Sequence, residues 1–303
     1  MFMIGRNDDC WCGSQKKWKK CHFPQTTPLN RPPQRNLKRD YLERYEILIK
    51  NEEEIDKIRA ACRLASSILE KTCAMAKAGV TTQELNDFAD RLHREAGALP
   101  APLHYGSPPF PKSICTSINE VICHGIPSDR ALKEGDILNI DITSILEGYF
   151  GDCSQMVSIG KVDPEKQLVV DVAYECLMRS IALLKPGIPI FKIGDAICAH
   201  ATSKGCSVVH QFVGHGVGIH FHEAPQISHH KNTNGILLVP GMTFTIEPMI
   251  NAGVRDAVID PVDQWTAYTK DKKPSAQWEH TVLITEEGHE ILTNWKRNMQ
   301  NSI

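Results

Sequence analysis

The sequence predicts a mixed α/β (α+β) domain made of two similar halves, preceded by a small separate module. Three observations predict it. Amphipathic helical stretches alternate with short strand patterns along most of the chain. A helix-turn-helix segment recurs after 108 residues, from Lys77 to Lys185. Four carboxylates stand inside strand patterns, where apolar residues are the rule. With 303 residues, 42% of them hydrophobic and 23% charged, the chain is long enough for one large core and excludes a disordered, collagen-like or fibrous protein. Its 34 basic and 36 acidic side chains leave a net charge of -2, so any attraction to nucleic acid or membrane has to be local.

The N-terminus, MFMIGRNDDCWCGSQKKWKKCH, becomes charged by residue 6 and holds no apolar core of signal-peptide length. Secretion is not expected, and a cytoplasmic location is. No stretch approaches the roughly 20 apolar residues of a spanning helix, so no membrane partner is expected. Eleven cysteines, an odd number spread among helical and strand patterns, suit a reducing compartment better than a disulfide framework.

Element by element, residues 1–24 are a Cys/Lys-rich opening and residues 25–45 a Pro-rich, basic linker. Residues 46–303 form the catalytic domain. Within it, apolar Ile55, Ile58, Ala61, Cys62, Ala65, Ile68, Leu69 and Cys73 recur at three and four, giving a helix from about residue 52 that ends by Gly79. Thr81 and Glu84 form a capping box for a second helix that closes at Gly97. A third starts at Asp163-Pro164 and stops at Pro186-Gly187, and a fourth covers roughly Phe191 to Lys204. Lys77-Ala-Gly-Val with Leu85 and Asp87 matches Lys185-Pro-Gly-Ile with Ile193 and Asp195, each joining one helix to the next, which suggests duplication. Strand patterns cover Asp136 to Thr143, Thr243 to Glu247 and the residues around Glu279 to Val282.

Asp141 sits in NIDIT, Asp152 in GYFGDCS, Glu247 in TFTIEPM and Glu279 in WEHT, each among strand formers. A buried unpaired carboxylate costs several kcal/mol, and neither TIEP nor WEHT nor NIDIT carries a Lys or Arg near its acid. Together with His215 in VGHGVGIHFHEAP they point to strong positive charge at the centre of the molecule. Two divalent ions balance four carboxylates, so the set favours a dinuclear site suited to hydrolysis by a bridging hydroxide. One imidazole among carboxylates is a hard donor set, which suits Mn, Fe or Co and admits Zn. His229 and His230, in the polar stretch SHHKNTN, read as a solvated loop. His280 should point away from the face that carries Glu279.

In order and spacing, NEVICHGIP, NIDIT, GYFGDCS, GHGVGIHFHEAP, GMTFTIEP and WEHT resemble the motifs of type 1 methionine aminopeptidases, over roughly residues 46–295. The resemblance implies the pita-bread fold of creatinases and aminopeptidases with its pseudo-twofold halves. It also implies removal of the initiator methionine from nascent proteins whose second residue is small. Carried over by match, Asp152, His215, Glu247 and Glu279 hold one metal and Asp141, Asp152 and Glu279 the other, with Asp152 and Glu279 bridging. His124, in CHGIP, faces the scissile nitrogen, His222, in FHEAP, faces the carbonyl oxygen, and Glu247 is the proton shuttle. The matching methionine pocket is Phe110, Cys115, Phe221 and Trp265, a set of aromatic and soft groups that suits an unbranched thioether. The pocket wall between residues 100 and 110 departs from the common pattern, with Pro102 near the place where many bacterial members carry a second cysteine and an insertion-like Gly106-Ser-Pro-Pro. Period-two alternation puts Met249 and Gln277 on the metal-facing side of their strands, as a rim that would exclude a large second residue.

Cys10, Cys12, Cys21 and His22 place four zinc-type ligands within 13 positions. The segment resembles the SEC-C zinc module at the end of the SecA translocation motor, which implies one structural zinc and a docking role. Lys16, Lys17, Lys19 and Lys20 around Trp18 suit ribosomal RNA or an acidic protein surface, so ribosome docking is expected. The enzyme is expected to be a monomer. Two other readings stay open at this point: a proline-directed peptidase of the same fold, and a metal-free relative acting as an adaptor.

Overall fold

The computed structural model describes residues 6–7, 16–21 and 37–296. The chain divides into two units, Met1–Ile49 and Lys50–Ile303. In the first, a single 3₁₀ turn spans Trp18–Lys20 and helix α1 spans Leu37–Tyr45, with Tyr41 buried. Helix α1 corrects the linker reading: the last nine residues of the stretch 25–45 are helical. Cys21 is half-buried, while Cys10, Cys12 and His22 lie outside the described residues.

The second unit opens with helix α2, Glu52–Met75, whose N-cap Asn51 and Glu54 form a reciprocal capping box. Its periodic apolar residues from Ile58 to Cys73 are buried as the spacing predicts, and Ile55 is partly buried. Helix α3, Thr82–Glu95, starts with the expected Thr81–Glu84 box. Helix α4, Pro164–Ile181, ends five residues before Pro186. The chain tightens there into i→i−3 bonds, Leu183 N to Ser180 O and Leu184 N to Ile181 O, because Pro186 disfavours a helical Lys185. Helix α5 spans Phe191–Ser203.

Two antiparallel sheets carry the site. The first contains the strands Leu99–Pro100, Cys115–Ile118, Ile137–Leu146 and Tyr149–Ser158, the last two paired over their full ten residues. The second contains Gly214–Gly216, Glu223–Ile227, Thr243–Ile246, His280–Ile284 and His289–Ile291. Helix α2 lies against the long hairpin, and only glycine fits at the closest approach: a Cβ on Gly151 would come within 2.3 Å of Cys62 N. That contact seats the backbone next to Asp152.

The internal repeat is structural. Gly79 N donates to Leu132 O and Leu132 N to Val80 O, each at 2.8 Å; in the other half Gly187 N donates to Leu238 O and Leu238 N to Ile188 O, also at 2.8 Å. Both glycines have positive φ, +91° and +85°. The bridges Thr81–Ala131 and Pro189–Leu237 repeat the same way. The turn between each helix pair is therefore pinned to its own half by the same three contacts, which is the pseudo-twofold arrangement the sequence repeat predicts.

Candidate active site

Register brings the acids together. In the long hairpin Asp141 pairs with Ser154 and Thr143 with Asp152, so the two aspartates are diagonal neighbours on one face. Cys115 pairs with Asp141 on the next strand and shares that face. In the second sheet His280 pairs with Ile246, and the same register carried one residue further sets Glu279 opposite Glu247, each just beyond its strand. Thr245 Oγ1 accepts from His215 N at 3.0 Å and donates to Glu247 Oε1 at 2.7 Å, tying two strands of this sheet to the site. The two sheets are stitched by Glu279 N donating to Ser154 O at 3.2 Å and by Thr281 Oγ1 donating to Asp152 O at 2.8 Å. Thr143 Oγ1 orients Asp152 through Oδ1 at 2.8 Å.

The ionisation of this cluster makes no sense for protein atoms alone. Burial first, and then repulsion from Asp141 and neighbouring acids, push Asp152 and Glu279 well above the ordinary carboxylate range. Burial raises Asp141 to about 7 and Glu247 to about 8. Among the described residues no Lys or Arg pairs with any of the four. Among the described residues, His215 is the one basic side chain within ion-pair distance of these acids, and burial followed by its neighbour His222 lowers it to about 3. His215 Nδ1 lies 3.0 Å from Gly216 O, a carbonyl that can only accept, so Nδ1 carries the hydrogen and Nε2 is a bare lone pair. That lone pair faces Asp152 Oδ2 at 3.7 Å and Glu247 Oε1 at 3.5 Å. Acceptors facing acceptors need a cation between them, and an imidazole whose other nitrogen donates to a backbone carbonyl is oriented as a metal ligand. Ligand atoms of Asp152, His215 and Glu279 come within 4.8 Å of one another, the spacing of a shared ion.

Around the acids lies an aromatic wall. The Phe110 and Trp265 rings meet edge to face at 5.4 Å, His124 stands 6.0 Å from Trp265 and 5.4 Å from Phe212, and Phe221 stacks on Phe150 at 6.1 Å. His222 sits 4.2 Å from the His215 ring. Burial holds His124 at about 4, and desolvation followed by His124 does the same for His222, so both are neutral near pH 7. His124 adopts φ +57°, a left-handed conformation uncommon outside glycine and typical of residues held in place at a site. Gln277 donates to Glu247 Oε2 at 3.0 Å. Met249, which pairs with Gln277, is buried with Ile122, Cys123, Val209 and Ala267.

Residues 56–286 match metallopeptidase family M24, and residues 6–24 match the SEC-C motif. A methionine aminopeptidase of Chlamydia pneumoniae is 57% identical over 288 residues, covering 95% of this chain and 98% of that protein. The chain belongs to the methionine aminopeptidases. As such it is a metallo-exopeptidase with divalent metal in its catalytic site and a pita-bread catalytic domain. The crystal structure of methionine aminopeptidase from Rickettsia prowazekii superposes with a TM-score of 0.79 at 44% identity, covering 82% of this chain and 100% of that one. A prolidase from Pyrococcus horikoshii shares the fold at 24% identity and a TM-score of 0.67, over 83% of this chain and 65% of that one. The adaptor reading falls with family membership, since the methionine aminopeptidase site keeps every acid and the imidazole together.

Three residues of this methionine aminopeptidase lay outside the sequence reading or against it. His229 is fully buried, not solvated: its Nε2 accepts from Glu247 N at 3.2 Å, and burial lowers it to about 3. The alternation Pro225, Ile227, His229 continues the strand Glu223–Ile227 and was the available signal. Tyr105, from the departing segment, lies 2.8 Å from His222 Nδ1 through its hydroxyl. Lys50 pairs with Glu223, beside His222, with both side chains almost fully buried. His280 behaves as expected: its ring stacks on Trp295 at 4.0 Å and its Nδ1 meets Thr293 Oγ1 at 2.9 Å, away from Glu279.

Proposed function

We propose that this enzyme removes the initiator methionine from nascent proteins with a small second residue, using two divalent ions held by Asp141, Asp152, His215, Glu247 and Glu279, with Asp152 and Glu279 shared. The observation that carries the reading is the bare His215 Nε2 facing two carboxylates. Ions at this position would supply a nucleophile from water at neutral pH and polarise the scissile carbonyl. The carboxylate-rich set favours Mn, Fe or Co, with Zn admissible.

The chain's own residues do the rest. Phe110, Cys115, Phe221 and Trp265 enclose the thioether side chain. Glu247, hydrogen-bonded by Thr245 and Gln277, would take a proton from the attacking water and pass it to the leaving amine. Neutral His124 hydrogen-bonds the scissile nitrogen. Neutral His222 donates to the carbonyl oxygen as charge develops there, which stabilises the transition state more than the ground state. Met249 and Gln277, locked side by side across their strands, bound the space left for the second residue. Residues 46–303 are the catalytic domain. The segment before it carries one structural zinc on Cys10, Cys12, Cys21 and His22 and docks the monomeric, cytoplasmic enzyme on the ribosome through its lysines.

Release of methionine from Met-Ala-Ser and Met-Leu-Ser peptides, with and without a chelator, tests the reading. Chelator-sensitive cleavage of the first and little of the second is expected. Equal cleavage of both would remove the size rule, and chelator-insensitive cleavage would remove the metal.

A further inference from the structure

The loop His104–Phe110 is not a loose insertion. His104 N donates to Phe110 O and Phe110 N to Tyr105 O, both at 2.8 Å, so the loop closes on itself. Trp265 Nε1 donates to Pro108 O at 2.9 Å. Gly106, at φ +76°, lies so close to Trp265 that a Cβ there would approach the ring to 2.5 Å. The loop is thus seated on Trp265 and holds Tyr105 toward Phe221 and His222. Its ring meets Phe221 edge to face at 4.9 Å, and its hydroxyl lies 2.8 Å from His222 Nδ1.

A neutral imidazole can meet a phenol in two ways, as acceptor at Nδ1 or as donor from it. The phenol O–H is the more acidic donor of the two, and the unprotonated imidazole nitrogen is the better acceptor, so O–H to Nδ1 is the stronger arrangement. With Nδ1 accepting, the remaining hydrogen is fixed on Nε2. The opposite tautomer would leave Nε2 a lone pair, unable to stabilise a carbonyl oxygen.

We propose that Tyr105 is a positioning residue that fixes His222 as its Nε2–H tautomer, turning the ring into a hydrogen-bond donor toward the substrate oxygen. The proposal rests on the role given to His222 in the function proposed above. It also assigns a purpose to the segment Gly106-Ser-Pro-Pro, which seats the pocket wall on Trp265 and thereby sets the reach of Tyr105 to His222. Thioether pocket and oxygen-facing donor become parts of one assembly.

The test uses the full chain, zinc-loaded and labelled with ¹⁵N-histidine. His222 is assigned by its loss in His222→Asn, and its tautomer is read from the two ring-nitrogen shifts. Tyr105→Phe removes the hydroxyl and keeps the ring against Phe221. The wild type should show a protonated Nε2 and bare Nδ1. In Tyr105→Phe this pattern should give way to a mixture of tautomers, with kcat on a Met-Ala-Ser peptide lower by about tenfold, the order of one lost hydrogen bond, and KM changed less than kcat. A His222 signature and kcat both unchanged in Tyr105→Phe would overturn the inference. Near-normal turnover in His222→Asn would instead sink the role of His222, which keeps the two failures distinct.

Discussion

Asp136 and Asp141 are five residues apart at one end and the middle of the same strand region, and they are buried for opposite purposes. Asp136 is surrounded by donors: Arg130 grips both oxygens at 2.6 and 3.0 Å, Lys133 N donates at 2.8 Å and Asn119 Nδ2 at 2.8 Å. Burial pushes its pKa up, but these bonds outweigh it and hold the carboxyl below its ordinary value. Asp141 has no basic partner among the described residues, and burial lifts it to about 7. The difference separates an acid whose charge the protein balances itself from an acid left without a balancing base among the described residues. Lys50 and Glu223 extend the first class, for there too the protein supplies the opposite charge itself. Asp152, Glu247 and Glu279 extend the second.

The largest expected effect breaks the comparison at the metal side. Asp152→Asn or Glu279→Gln should lower both metal content and peptidase turnover by about a thousandfold in rate, several kcal/mol of transition-state stabilisation, with little loss of folding stability in the metal-free protein. Metal analysis and thermal melts on the same samples read both quantities. Near-normal turnover in either variant would remove these residues from the site. At the other acid the pattern should invert. Asp136→Asn leaves Arg130 with a weakened partner in a half-buried place and should destabilise the fold by about 1 to 3 kcal/mol, while metal content and kcat stay near wild type. Loss of metal in Asp136→Asn with an unchanged melting temperature would erase the distinction.

A smaller effect lies in pH. The folded-state pKa values of the central acids are raised above those of the unfolded chain, whereas buried His124, His215, His222 and His229 are lowered, so it is between about pH 6.5 and 8, where those histidines are largely neutral in both states, that the native state binds more protons than the unfolded one. Stability of the metal-free protein should therefore fall as pH rises through that window. Asp136 has the opposite sign, since its contribution is present above its unfolded pKa and is lost in acid. Added manganese should accordingly raise the melting temperature more at pH 8 than at pH 5. An equal increment at both values would show that protons and metal do not compete for these carboxylates. The smallest effect expected is at Met249. Met249→Ala should leave Met-Ala-Ser turnover within about threefold and raise the relative rate on Met-Leu-Ser by about tenfold, the scale of a few methylenes in a pocket. An unchanged ratio would take Met249 out of the rim.

Much of this was legible in the sequence, and the omissions have physical reasons. The Thr81–Glu84 capping box, the periodic face of α2 and the Lys77/Lys185 repeat are local signals, and the structure reproduces them. The four acids were visible because a carboxylate among strand formers violates the pattern of an ordinary core. The same rule did not separate Asp136 from Asp141, because the donors to Asp136 come from a loop six residues upstream and from Asn119, contacts that no strand pattern encodes. His229 was hidden by its polar neighbours although its period-two burial continues the strand. Tyr105 could not be found because its partner is 117 residues away and the loop that presents it is shaped by Trp265, further still along the chain. Helix α1 was masked by the prolines that precede it.

The central claim is that four buried acids and one neutral imidazole form a site for two divalent ions. Calorimetric titration of manganese into the chelator-treated full chain near pH 7, in two buffers of different ionisation enthalpy, tests it most directly, because thiolate sites bind manganese poorly. Carboxylates raised to about 7 and above carry protons that the ions must displace. The account predicts two bound ions per chain with a net release of at least one proton, and loss of both signals in Glu279→Gln. Binding of no more than one ion, or binding of two with no proton released, would contradict it.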